Sequence, residues 1–421
     1  MGPIVDVHLM PNAGMPVADQ PRCDVSQVAK SSVKLVVGIT HPQTCLVLRG
    51  RLLALREAGF CVTLVCSPGA LFEMIGESEG VETIAVPIQR GMAPLGDIVS
   101  LFRLWAILRR IKPEIVEFST PKAGLLGMMA AKMAGVPRRV YHLRGLKLES
   151  AAGLKRRILA MAERIAAACS DVVLCNSESL RVTVRSLRLV PSRKLQVLGS
   201  GSSNGVDTVK FSPGDSDVRQ RLRWPKNEPV LGFVGRLTQD KGLPELIDAF
   251  ELILEEYPTA HLLLAGWFDQ SDDALTAEMR DRIERHPRVA CTGYVDDASP
   301  YYRAMDLFVL PTRREGFPNV VLEASATGIP VITTLATGAR DSVLHGVTGV
   351  LILPGDKEAI CAASLELLRD PERRQRMGAA GRAWVTGSFE KRRALSQLVR
   401  FYEGLIPQQE ERTLISDGAE A

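Results

Sequence analysis

Two short stretches in the second half of the chain carry the residues best suited to chemistry. In PVLGFVGRLTQDKG, an apolar run leads into Arg236, and Lys241 follows just ahead of a helix start. A guanidinium offers phosphate oxygens a planar fork and an ammonium offers a mobile point charge. Together they suit a diphosphate that gains negative charge as it leaves. The plainer alternative is a pair of solvated surface charges. In REGFPNVVLEASATGIPVI, from Arg314 to Ile332, Glu315 and Glu323 are separated by seven residues. Gly316, Phe317 and Pro318 make a turn and Asn319 is the expected N-cap, so Glu323 falls at the fourth position of the new helix and Glu315 precedes it. The unpaired N–H groups that open a helix favour a phosphate. Glu323 can then accept two hydrogen bonds from a ribose diol, and Glu315 can reach sugar hydroxyls beyond the phosphates. A first-turn acid favoured by the helix dipole would explain Glu323 without a ligand, but it leaves Glu315 and the GFPN turn without a reason.

The elements that must position these residues follow from hydrophobic period. From Val33 onward, short β-branched runs alternate with longer runs of helical period, the pattern of βαβ units in a parallel sheet. Strands are expected at Val33 to Ile39, Phe60 to Cys66, Glu82 to Pro87, Ile115 to Ser119, Arg139 to Leu143 and Asp171 to Asn176. Helices are expected at Leu46 to Ala58, Pro94 to Lys112, Pro121 to Ala134, Leu154 to Cys169 and Glu178 to Leu189. The segment Gly199 to Asp217 is dense in Gly, Ser, Asn, Asp and Pro and marks a boundary. A second series follows, with strands at Pro229 to Val234, His261 to Ala265, Val289 to Thr292, Leu307 to Pro311, Pro330 to Thr333 and Val350 to Leu353. Leu246, Phe250, Ile253, Leu254 and Tyr257 recur on one face of the helix after Lys241, and Pro244 suits its first turn. A last helix is expected at about Phe389 to Leu405. The fold class is therefore α/β, with two Rossmann-like doubly wound domains facing across a cleft. The boundaries expected are an N-terminal extension, 1–32, flexible and broken by four prolines; a first domain, 33–205; a second domain, 206–386; a final helical segment, 387–406; and an unstructured tail, 407–421.

Composition narrows the function classes. The 421 residues are 46% hydrophobic and 24% charged, as in an ordinary globular protein. A net charge of +4 does not ask for a nucleic-acid partner. The eight cysteines are scattered without a CxxC pair, which fits buried thiols in a reducing cytosol. No run reaches the 18 or so apolar residues of a membrane span, and the start lacks a signal peptide. Neither domain has a GxGxxG fingerprint after its first strand, so nicotinamide and flavin cofactors are disfavoured. No DxD-type metal motif stands out either.

GFVGRLTQDKG, LFVLPTRREGFPNVVLEASATGIPVI and HGVTGVLILPGD together resemble the retaining GT-B glycosyltransferases of family 4. GSSNGVDTVKF, YHLRGL and GLKRR are similar to the capsular and exopolysaccharide branch of that family. The resemblance covers nearly the whole chain after residue 32. It implies a nucleotide-sugar co-substrate, with a UDP-sugar favoured, and transfer with retention of configuration without a metal or protein nucleophile. It implies that Arg236 and Lys241 bind the donor diphosphate, Glu323 the ribose and Glu315 the sugar. Gly316, Phe317, Asn319 and Val320 line the donor, and Tyr294 and Val295 lie where family members hold the base. The final helix is implied to cross back onto the first domain. His142 matches a family histidine over the donor sugar; its alternative is a core histidine with a satisfied ring.

Acceptor choice rests with the first domain. His41 follows the first strand, while Arg144, Lys147, Lys155, Arg156 and Arg157 form a basic cluster interleaved with Leu146, Leu148 and Leu154. That cluster suits a polyprenyl diphosphate at the inner face of the cell membrane, making the chain a peripheral cytoplasmic enzyme. A solvated helix start is the alternative, and a soluble small-molecule acceptor in natural-product glycosylation would then fit. His345 is expected to be structural. Two other classes stay open: a nucleotide-sugar epimerase, which needs no acceptor, and a non-catalytic carbohydrate-binding protein of the same fold.

Overall fold

The computed structural model of the chain describes residues 33–89, 91, 93–269 and 273–406. The extension 1–32 and the tail 407–421 expected from the sequence lie outside them. Among the described residues, thirteen strands form two wholly parallel sheets. The first contains β1 (Lys34–Gly38), β2 (Cys61–Cys66), β3 (Glu82–Ala85), β4 (Ile115–Ser119), β5 (Arg138–Leu143), β6 (Val172–Cys175) and β7 (Leu195–Val197), in the order β3-β2-β1-β4-β5-β6-β7. The second contains β8 (Val230–Val234), β9 (His261–Ala265), β10 (Val289–Cys291), β11 (Leu307–Leu310), β12 (Val331–Thr334) and β13 (Gly349–Ile352), in the order β10-β9-β8-β11-β12-β13.

β1 shows why such strands read as unbroken apolar runs. Val36 faces the helices Pro94–Ile111, Pro121–Met133 and Gly153–Cys169, while Leu35 and Val37 face Arg51–Glu57, Ala70–Glu79 and Lys391–Glu403. Both faces are covered, so both need apolar side chains. In the second sheet, Leu246, Phe250 and Ile253 of the helix Leu243–Glu256 are fully buried, with Leu254 and Tyr257 packed at its margin. Pro244 stands in its first turn, where a missing N–H costs nothing.

Several elements differ from expectation, among them three in the first lobe. The helix expected at Leu46 to Ala58 is divided into a 3-10 turn, Pro42–Leu48, and a helix, Arg51–Glu57, because Gly50 takes a left-handed conformation at φ 76°. The helix Ala70–Glu79 and the strand β7 were not anticipated. Glu79, buried on that helix, accepts hydrogen bonds from the N–H groups of Gly50 (2.6 Å) and Leu53 (2.9 Å), so it serves as the cap that Gly50 cannot be.

The chain passes between the lobes twice, and the two passages lie side by side. Val206 donates to Phe389 O (2.8 Å), and Lys391 donates back to Val206 O (2.9 Å). The helix Lys391–Glu403 then sinks Leu398 and Tyr402 into the core of the first sheet. The Tyr402 hydroxyl bonds Glu117 of β4, which also pairs with Arg51, and all three side chains are fully buried.

Candidate active site

The carboxyl ends of β8 and β11 hold the basic pair and the first carboxylate. Beyond β8, Gly235 and Gly266 press together so closely that a Cβ on Gly266 would stand 1.8 Å from Gly235 O, leaving the loop no room for a side chain. Arg236 emerges from this loop and pairs with Asp269. Lys241 ends the turn Gln239–Lys241 and pairs with Glu315. Arg314 pairs with Asp240, and the N–H of Arg313 donates to Asp240 O (2.8 Å). The two stretches singled out in the sequence are thus stitched together, and Lys241 and Glu315 meet directly.

Asn319 is not the N-cap. Pro318 occupies that position and Asn319 is the first residue of the helix Asn319–Ala326, which moves Glu323 from the expected fourth position to the fifth. The reason is a tertiary contact: Asn319 Oδ1 accepts from the Ser202 hydroxyl (2.8 Å) across the interlobe gap, so it is not turned back onto its own helix. Pro318 has no side-chain acceptor to offer, and the first-turn N–H groups are left without that cap. Glu323 accepts from the Tyr302 hydroxyl (2.8 Å), which also donates to Val320 O (3.1 Å). Burial pushes the Glu323 carboxyl up, against the Tyr302 bond and the Lys210 charge. Phe317 is a packing residue, 5.3 Å from the Phe389 ring beside the interlobe passage. Tyr294 stands exposed, edge-on to Trp267 at 5.4 Å, with Val295 half-buried next to it.

Gly316 is where the lobes touch. A Cβ there would lie 1.7 Å from Arg144 O, so only glycine lets the second lobe close on the first. Around it, Thr337 donates to Glu149 (2.6 Å), Gly338 N–H donates to the Ser179 hydroxyl (2.7 Å), and Ser179 N–H donates to Asp341 (3.0 Å).

On the first lobe, His142 is the next-to-last residue of β5, at 4% exposure. Its Nδ1 lies 2.9 Å from Glu117 Oε1 and its Nε2 lies 2.6 Å from the Asn176 side-chain amide. Burial, followed by the Arg144 charge, lowers the imidazole to about 4 despite the pull of Glu117. It is therefore neutral near pH 7 and carries one N–H for the two oxygens that face it, Glu117 Oε1 and Asn176 Oδ1; with that N–H donated to the carboxylate, the Asn176 amide must turn over so that its NH2 donates to Nε2. Burial alone would raise Glu117; Arg51, His142 and Arg144 outweigh it and hold the carboxyl far below the usual range. Arg144 donates to the Ser203 hydroxyl (2.7 Å), while its Nε and Nη2 are buried without a hydrogen bond, Nη2 standing 4.0 Å from Glu117 Oε1 in an ion pair. Burial and the neighbouring Arg51 lower the guanidinium to about 10.

The expected surface cluster does not hold in full. Arg144 is inside the cleft, and Leu146 and Leu148 belong to the first lobe's core. Lys147, Lys155, Arg156 and Arg157 are exposed. His41 caps the turn after β1 by accepting from Gln43 N–H (3.3 Å). His345 accepts from Leu351 N–H (3.0 Å) and only braces its own turn. Among the described residues no three His, Cys, Asp or Glu side chains stand together as a metal-holding group, and no helix is long and apolar enough to cross a membrane.

Asp269, Glu117, Asn176 and Tyr302 were missed from sequence. Glu117 left one trace, a carboxylate in the apolar strand IVEFS. Asp269, Asn176 and Tyr302 left none, since each is recognised only through a partner distant in the chain.

Comparison with known proteins decides the family. Residues 48–201 match the model of the glycosyl transferase 4-like domain, and residues 228–370 that of the glycosyl transferases group 1. A capsular polysaccharide biosynthesis glycosyltransferase, CapM, from Staphylococcus aureus is 33% identical over 88% of this chain and 97% of its own length. The chain belongs to glycosyltransferase family 4. The family 4 enzyme is also 29% identical, over 74% of the chain and 81% of the relative, to an Escherichia coli UDP-Gal:α-D-GlcNAc-diphosphoundecaprenol α-1,3-galactosyltransferase. Its two-lobed fold superposes on Anabaena HepE in complex with UDP-glucose with a TM-score of 0.72 at 21% identity, covering 88% of this chain and 99% of that one. The fold is GT-B, and the enzyme is a hexosyltransferase-type glycosyltransferase that uses a nucleotide sugar.

Proposed function

We propose that this family 4 enzyme transfers a hexosyl group from a UDP-sugar, with retention, to a hydroxyl of a lipid-linked saccharide during polysaccharide synthesis. The observation that carries the reading is the contact of Lys241 with Glu315, which joins the cationic loop to the turn that opens the Asn319 helix. Each cation rests on a carboxylate, Lys241 on Glu315 and Arg236 on Asp269. A bound diphosphate draws both ammonium and guanidinium to itself and frees Glu315 for the sugar hydroxyls. Glu323 holds the ribose diol, and Tyr294 and Val295 flank the base. Main-chain groups of Gly316, Phe317, Asn319 and Val320 line the phosphates and sugar.

In the reaction, the acceptor oxygen bonds the anomeric carbon on the face from which the diphosphate leaves. The carbon–oxygen bond to the diphosphate breaks, and the acceptor proton passes to the departing oxygen. Arg236, Lys241 and the helix opening meet the charge that develops there. His142 is neutral and fixed by Glu117; it engages the donor sugar through Nε2 once Asn176 releases that nitrogen. Arg144, with two buried nitrogens that make no hydrogen bond, and Lys147 face the acceptor side, with His41 at its margin. The E. coli relative's UDP-sugar and diphosphoundecaprenol substrates, and the UDP-glucose bound by HepE, support the choice of donor base and of a lipid-borne acceptor.

A thermal-shift panel of UDP-, GDP- and ADP-sugars, followed by product analysis with lipid-linked and soluble acceptors, tests this. A UDP-sugar should stabilise the protein and yield product only with a lipid-linked acceptor. Turnover of the sugar with no acceptor present would identify an epimerase, and no donor binding would end the reading.

A further inference from the structure

The outer helices of the first lobe are more apolar than a water-facing layer should be. On Pro94–Ile111, Leu95, Ile98, Val99 and Phe102 stand exposed, Leu95 at 82%. On Gly153–Cys169, Leu154, Ile158, Met161 and Ile165 do the same, Leu154 at 72%, at a spacing that puts them on one face of the helix. With Met133 of the helix packed between these two, they make nine of the eighteen large apolar side chains that stand exposed among the described residues. Scattered single exposures are ordinary, but half of them gathered on one three-helix layer mark an interaction face.

The charges of that layer say what it meets. Each of the two flanking helices has one carboxylate, and neither is available: Asp97 pairs with Lys122 (2.7 Å), and Glu163 is buried under the Tyr141 hydroxyl (2.8 Å). Arg103, Arg109 and Arg110 on one helix and Lys155, Arg156, Arg157 and Arg164 on the other are exposed. No carboxylate among the described residues pairs with Lys155, Arg156 or Arg157. Arg156, Arg157 and Arg164 line a groove of ≈ 670 Å³ whose other walls include Leu148, Met161 and Leu189. Three guanidinium groups beside an alkyl-lined floor match a phosphate head carried on a hydrocarbon chain.

Position ties this face to the cleft. In a parallel sheet, a helix that follows a strand begins at the strand's carboxyl end, the cleft side. Leu95 and Leu154 are in the first turns of their helices, and the groove begins at Leu148, next to Glu149, which holds Thr337 across the cleft.

We propose that helices Pro94–Ile111 and Gly153–Cys169 form a face that seats the enzyme on an anionic phospholipid bilayer, with a lipid phosphate in the Arg156–Arg157–Arg164 groove. The seat brings the mouth of the cleft to the level at which a lipid-borne acceptor hydroxyl emerges. This rests on the proposed acceptor class only for its purpose, and its test does not depend on turnover.

The test is flotation of the full chain with phosphatidylcholine vesicles and with vesicles that also contain phosphatidylglycerol. The protein should float with the second kind. Near an anionic surface each cation is worth about fivefold, so R156A with R157A should cut the bound fraction constant by about 25-fold. L154E with M161E should abolish flotation, while V209E, an equally exposed apolar site on the other lobe, should leave it intact. Soluble inorganic phosphate should not displace the protein. Absence of wild-type flotation, variants that float like wild type, or full displacement by phosphate would each overturn the proposal. The same variants should keep the wild-type melting temperature and the UDP-sugar thermal shift, which separates loss of the seat from loss of the donor site or of the fold.

Discussion

Gly316→Ala is the smallest change that should separate the lobes without damaging either. The added carbon would stand 1.7 Å from Arg144 O and 2.4 Å from Arg144 C, both backbone atoms that no rotamer change can move. Carbon–oxygen contacts settle at roughly 3.3–3.6 Å, so the lobes must part there by about 1.5 Å or more. Six bonds span the gap: Glu149 with Thr337 at 2.6 Å, Ser179 with Gly338 at 2.7 Å, Ser202 with Asn319 at 2.8 Å, Ser179 N–H with Asp341 at 3.0 Å, the Ser179 hydroxyl with Asp341, and Thr183 with Thr337 at 3.5 Å. A displacement of that size carries each beyond hydrogen-bond range. At about 0.5 kcal/mol apiece, the low end for such bonds, their loss destabilises the closed state by about 3 kcal/mol, on the order of 100-fold in the closed-to-open ratio. The expected outcome is a kcat/KM about 100-fold lower, a larger radius of gyration by small-angle scattering, and UDP affinity within a few-fold of wild type, because the contacts proposed for UDP itself belong to the second lobe. A kcat/KM within about threefold of wild type, or an unchanged scattering profile, would refute the reasoning.

Lys241→Ala should lower kcat by about 100-fold with little change in KM, since its partner gains charge only as the bond breaks; steady-state kinetics with an unaltered kcat would remove Lys241 from the diphosphate. Glu323→Ala should raise the donor KM by about tenfold or more through the lost ribose bonds while kcat holds, checked by calorimetry with UDP and with the UDP-sugar. Glu163, pushed up to about 7 by burial, keeps its proton in the fold where the unfolded chain has lost it. Stability is therefore fullest below about pH 4.5 and falls by about 3 kcal/mol as pH rises through about 7. Glu163→Gln still accepts from Tyr141 and should flatten that profile in denaturant melts, whereas a constant offset from wild type across pH would count against it. Tyr402→Phe strips a hydroxyl donor from the buried Glu117 and should cost about 2 kcal/mol of unfolding free energy, with a change below about 0.5 kcal/mol showing that the bond matters little.

Much of the architecture was legible because parallel strands covered on both faces announce themselves. His261–Ala265 and Ile115–Ser119 fall where the apolar runs predict. The helix Ala70–Glu79 hid because its inward face includes Glu79 and Gly76 beside Phe72 and Ile75, so its apolar period is faint. The helix boundary at Asn319 was misplaced because Asn319 answers to Ser202, a residue far back in the chain, and not to its own helix. The same distance hid Asp269 behind Arg236 and Tyr302 behind Glu323. Types and spacing singled out the groups proposed to grip a nucleotide sugar. Which carboxylates hold those groups is a property of the folded loops. The basic cluster was misread for a related reason: Arg144, Leu146 and Leu148 lie on a segment that dives under the surface before Gly153 returns to it.

The bridge between Val206 and Glu390 joins the halves by two threads lying abreast. Such a joint folds like a strip hinge along one line and resists swivelling, so opening should follow a single bending coordinate. It also means that a protease cutting either thread alone leaves a nicked protein whose halves stay in register. Losing the last helix would expose the first half's core rather than merely shorten the second.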